Sequence, residues 1–148
     1  MKIPDALYER VFDLATGMTY ASESGDTKSF WRLYDELRVY CEAQSDPHRD
    51  HPFLWETLAD FTTDDRIAID LYLKALRKAE QLGAADYEAS IGLAIAERYP
   101  EAGNATLASR YASSANERAK SLDDLELRRR ISQFLLDQSE ANRPRVLK

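Results

Sequence analysis

Between positions 64 and 82 the apolar residues recur at the spacing of an α-helix, and no other feature restricts the fold as strongly. Ile67, Leu71, Ala75 and Leu82, with Ile69, Leu73 and Leu76 beside them, form a wide stripe on one side of such a helix. The same reading divides the chain into seven amphipathic segments, at 4–22, 27–44, 51–62, 64–82, 86–101, 105–121 and 123–138. Only five Gly and five Pro interrupt 148 residues, and 44% are hydrophobic, so the expectation is an all-α fold with one continuous core. Residues 1–138 are expected to form a single domain. The tail 139–148, with Asn142-Arg143-Pro144-Arg145, is expected to fray.

Start and stop signals fit this division. Thr63, Asn104 and Ser121 stand where an N-cap side chain accepts a free backbone N–H, and Asp50 does so ahead of His51 and Pro52. Gly83 and Gly103 follow helical runs, as glycines in the left-handed conformation do, and Pro100 ends the fifth helix near Tyr99. In the last helix Leu125, Ile131, Phe134 and Leu135 are expected to face inward.

The segments also repeat. Ile95, Ala96, Tyr99 and Gly103, followed by Ala108, Ala112 and Ala115, resemble the tetratricopeptide pattern, with Ala112 where an aromatic is usual and Tyr111 beside it. Trp55, Leu58 and Ala59, then Ala68, Tyr72 and Ala75, resemble a second unit with a shortened turn. A first unit keeps Gly25-Asp26, Phe30, Tyr34 and Leu37. Ala68 and Ala108 are forty apart, against a usual period of about 34. The resemblance implies a right-handed superhelix of about three antiparallel helical hairpins, closed by the helix 123–138 as a cap. Small residues would let paired helices approach closely, with Trp55, Tyr72 and Tyr99 filling the gaps. A plain helical bundle is the alternative.

Charge is distributed unevenly. The first helices of the three hairpins carry nine acids and two bases, whereas the second helices carry eight acids and ten bases. Asp5, Glu9 and Asp13 step by four, as do Glu56 and Asp60, and Glu97 and Glu101, so each group shares a helical face. In tetratricopeptide arrays the first helices line the groove that grips partners. By that resemblance Phe53, Glu56, Asp60, Ser90, Leu93, Glu97 and Glu101 are the expected partner-binding residues. The expected partner is another protein with a basic surface. The alternative is that these are ordinary solvated faces.

Other chemistry finds less support. A net charge of −6 argues against nucleic acid as partner. The uncharged stretches are too short to span a membrane, and Asp5, Glu9 and Arg10 interrupt any leader-like segment, so a cytoplasmic location is expected. Cys41, the single cysteine, reads as a packed thiol. The run Asp46-Pro47-His48-Arg49-Asp50-His51-Pro52 gathers two histidines and two aspartates, but reads as a turn between hairpins before it reads as a metal site. The aromatic series Phe30-Trp31, Tyr34 and Tyr40 reads as core. Neither catalytic residues, a metal site nor a cofactor is expected. The function expected is a stoichiometric binding module, such as a bacterial immunity protein neutralising a basic toxin. Alternatives are a secretion chaperone or adaptor, a self-associating subunit, and a metal-dependent enzyme using the His48–His51 loop.

Overall fold

The structure, a computed structural model, describes residues 2–44, 46, 49–99 and 104–141. Among them are seven helices and no strand: α1 (Asp5–Glu23), α2 (Thr27–Glu42), α3 (Pro52–Asp60), α4 (Asp65–Leu82), α5 (Ala85–Arg98), α6 (Ala105–Ala119) and α7 (Leu125–Ala141). The chain packs as two compact units, Met1–Leu82 and Gly83–Lys148. Ser139, Glu140 and Ala141, expected in the tail, extend α7. Residues 142–148, and with them the rest of the tail, lie outside the described residues, as do Pro100 and Gly103.

In the first unit successive helices run in opposite directions. Arg10 meets Glu36 at 3.5 Å and Gly17 lies under Leu33, which sets α1 against α2. Cys41 reaches the Leu54 carbonyl, and the Tyr34 and Thr62 hydroxyls meet at 2.8 Å, which sets α2 against α3. Asp60 accepts from Tyr72, and Lys74 lies 3.5 Å over the Trp55 ring, which sets α3 against α4. Leu7, Val11, Leu14 and Met18 of α1 fill the core with Leu37, Leu54 and Leu58. At the α1–α2 turn Gly25 takes φ +72° and Gly83 ends α4 at φ +64°, conformations that a Cβ disfavours.

On α4 the buried face holds Ala68, Ile69, Tyr72, Ala75 and Ala79, while Ile67 is 53% exposed. The stripe expected from the large aliphatics is therefore rotated. Small residues turn inward because α3 lies close, which is the face the repeat pattern picks out.

The second unit is built from α5, α6 and α7. Glu88–Arg118, Gly92–Ala115 and Tyr99–Tyr111 are its paired positions, so α5 and α6 are antiparallel. A Cβ on Gly92 would stand 3.0 Å from that of Ala115, so the two backbones approach as closely as small residues allow. Ala89, Leu93, Ala115, Ala119, Leu127 and Ile131 form its core, with Leu122, Phe134 and Leu135 packed against it. Here one expectation is corrected. Leu125 is 72% exposed and Leu127 takes the inward position, because α7 starts at Leu125 and its inward face is set by Ile131 four residues beyond Leu127.

Capping is corrected in three places. Asp64, not Thr63, accepts from Ile67 N–H at 3.0 Å, and Asp124, not Ser121, accepts from Leu127 N–H at 3.0 Å. Both stand immediately before the first helical residue, Asp65 and Leu125, where a cap side chain reaches the third N–H, and their charge also suits the positive helix end. Asp50 does not cap α3; His51 Nδ1 accepts from Phe53 N–H at 3.1 Å instead. Asn104 caps α6 as expected, accepting from Leu107 N–H at 3.2 Å. No helix among the described residues is long and apolar enough to cross a membrane.

Candidate functional site

Helix α3 has nine residues and six of them are buried; of the other three, Phe53 and Glu56 are half-buried and Asp60 is exposed. Their spacing of three and four places them along one face. Three of the expected partner-binding residues thus form the least covered side of a helix whose other sides are packed. Asp60 also accepts from the Tyr72 hydroxyl, so its carboxylate is held in place.

Phe53 is not isolated. Its ring stacks on Tyr8 of α1 with centroids 5.2 Å apart and planes 23° apart, and Tyr8 stacks on Phe12 at 5.9 Å and 20°. Since α2 is antiparallel to both α1 and α3, those two run in the same direction and their first turns lie side by side. The stacked row is continuous with the acidic outer side of α1, where Asp5, Glu9, Asp13 and Glu23 are exposed. The one base of α1, Arg10, pairs with Glu36 on α2. Among the described residues none of these four acids forms an ion pair.

Neither Tyr8 nor Phe12 was among the expected binding residues. The signal was present, since Tyr8, Phe12, Thr16 and Tyr20 step by four and mark a second stripe beside the buried one.

In the second unit the expected residues separate. Ser90 and Glu97 lie on the less covered side of α5, with Asp86 and Ala94. Leu93 is 2% exposed and belongs to the core against Ala115, Leu127 and Ile131. Glu97 meets Arg130 of α7 at 3.4 Å, which offsets part of its charge, and Glu88 is buried with Arg118 3.9 Å away. Glu101 lies outside the described residues.

The histidine loop is structural where it is described. His51 is 2% exposed and its Nδ1 caps α3. Asp50 accepts from the Trp55 indole N–H at 2.7 Å and from Lys78, pinning the entry of α3 to α4. His48 lies outside the described residues, and among those described no three His, Cys, Asp or Glu side chains gather as a metal site would need. Cys41 is buried, and its thiol is pushed up to about 12 by burial, with the Asp50 and Glu42 charges adding to the effect. The aromatic series on α2 is not core throughout: Trp31 is 47% exposed and packs edge-on against Phe30 and Tyr34.

No family model, curated protein or solved structure matches the chain.

Proposed function

We propose that this chain is a non-enzymatic binding module of stacked helical hairpins, tetratricopeptide-like in design, that takes a basic partner protein on its acidic first-helix surface. The observation that carries the reading is the least covered side of α3, where Phe53, Glu56 and Asp60 continue into the Tyr8–Phe12 stack and the acids of α1, which form no ion pair among the described residues. Exposed rings supply contact area at low entropic cost, and carboxylates around them select the sign of the partner. On the other unit Glu97, with Asp86 and Ser90 on the same side of α5, adds a weaker acidic feature, its charge partly offset by Arg130 of α7. The same chemistry fits an inhibitor that neutralises a toxin domain with a cationic cleft.

The test is charge reversal. Glu56→Lys combined with Glu97→Lys should weaken binding of the co-purified partner roughly tenfold at about 20 mM salt, and far less at about 300 mM, where exposed charges are screened. Unchanged affinity at low salt would remove the proposal.

A further inference from the structure

On the solvent side of α1, beyond the end of the ring stack, lies a shallow, open cleft of about 440 Å³ lined by Phe12, Ala15, Thr16, Thr19, Tyr20 and Glu23, all on this one helix. Phe12 and Tyr20 stand two turns apart, roughly 12 Å along the axis, and are 53% and 73% exposed. Between them Ala15 and Thr16 make a low floor. The Thr19 hydroxyl donates to the Ala15 carbonyl at 3.0 Å, so its oxygen faces any ligand only as an acceptor. Glu23, at one end, is acceptor-only when ionised. No basic residue lines the cleft, and the one base of α1, Arg10, is turned away to Glu36. The cleft therefore offers ring faces and acceptors, and no charged donor.

We propose that this cleft seats an arginine side chain of the basic partner. The inference rests on the function proposed above and specifies its chemistry. A guanidinium is planar, stacks on an aromatic face, and carries five N–H donors that reach separated acceptors such as Thr19 and Glu23 together. An ammonium is a compact, strongly hydrated charge and would use one of those features at a time. An anionic side chain would be repelled by Glu23, and a neutral donor could reach the same acceptors but would gain neither the charge attraction nor the cation–π contact.

The experiment is an amide NMR titration of the full chain with the blocked tripeptide acetyl-Gly-Arg-Gly-amide, alongside its citrulline and lysine counterparts. Saturable shifts should centre on Phe12 to Glu23 with the arginine peptide, be weaker with lysine, and vanish with citrulline, which keeps the shape and loses the charge. Tyr20→Leu should weaken binding about two- to fivefold, the size of an exposed cation–π contact, and Phe12→Leu, whose ring stands two turns away beside the arginine stem, should weaken it less. Glu23→Gln should weaken it and flatten its salt dependence. All three changes lie on the exposed side of α1, and unchanged amide positions elsewhere would confirm that the fold is intact.

Equal shifts with citrulline, equal or tighter lysine binding, or no saturable shift at all would overturn the arginine seat. Shifts centred on Phe53, Glu56 and Asp60 would also overturn it while leaving the basic-partner reading in place. Conversely, a seated tripeptide together with charge reversals that leave the partner's affinity unchanged would remove the broader reading and spare the seat.

Discussion

Replacing Gly92 with alanine sets two effects of similar size against each other. An alanine in a helix interior gains about 1 kcal/mol over glycine, so an unopposed Gly92→Ala would stabilise α5. In this fold the new methyl would lie 3.0 Å from the Ala115 Cβ and 3.5 Å from the Tyr111 carbonyl oxygen. Neither neighbour can rotate away, because one is a Cβ fixed to its backbone and the other is backbone itself. The helices must separate, and overpacking of that kind costs about 1–3 kcal/mol. The expected net effect is a loss of about 1 kcal/mol.

The complementary change, Ala115→Gly, loses about 1 kcal/mol of helix propensity and about 0.8 kcal/mol for one buried methyl. Combining the two moves a methyl from α6 to α5 across the same gap. Propensities then cancel and the contact is kept, so the double variant should lie within about 1 kcal/mol of the parent, although the single losses sum to nearly 3. Urea denaturation of the four proteins measures this directly. A Gly92→Ala protein more stable than the parent, or single effects that simply add, would show that the close α5–α6 approach does not constrain this position.

Three further outcomes follow from the packing. Ile131→Ala should cost about 2–4 kcal/mol in chemical denaturation, whereas Leu125→Ala should stay within about 0.5, because only Ile131 is buried in the second core. Asp50→Ala should cost about 2–4 kcal/mol by stranding the Trp55 indole N–H and the Lys78 ammonium, and Asp50→Asn, which still accepts from the indole, should cost clearly less. If the two cost the same, the indole contact is not part of the anchor. The Cys41 thiol rises in the fold from 9.0 to about 12, so the unfolded chain releases that proton first. Stability should therefore fall between about pH 9 and pH 12, by up to about 1.4 kcal/mol per pH unit from this group, and subtracting the curve of Cys41→Ala should isolate the effect.

Helix positions were legible in the sequence because they depend on local signals: a period near 3.6, and breaks such as Gly25 and Gly83. Which face of each helix turns inward was less legible. In α7 the spacing itself favours Leu127, which stands four, seven and eight residues before Ile131, Phe134 and Leu135. Leu125 stands six and nine before Ile131 and Phe134 and so falls on another side; the expectation followed the leucine that opens the helix in place of the periodic one. The Asp50 cap failed for another reason. Asp50 is a suitable N-cap residue by type, but Trp55 and Lys78 compete for its oxygens across the structure, and sequence neighbours do not reveal that competition.

For the candidate site, the tetratricopeptide resemblance and the charge pattern together pointed to Phe53, Glu56 and Asp60. They passed over Tyr8, Phe12 and Tyr20, because exposed aromatics and buried ones look the same until the neighbouring helix is in place. Leu93 shows the converse, a residue with groove spacing that the second core absorbs.

The two tryptophans, Trp31 and Trp55, both belong to the first unit, and they are placed very differently. Trp55 is enclosed, with its N–H on Asp50 and its ring under Lys74, while Trp31 is half open to water. Tryptophan emission thus follows the melting of Met1–Leu82 alone, whereas far-ultraviolet circular dichroism follows all seven described helices. Recorded on one sample, the two signals turn an optical accident into a gauge of cooperativity. Coincident curves would mean that the units melt as one, and separated curves would give the stability of each.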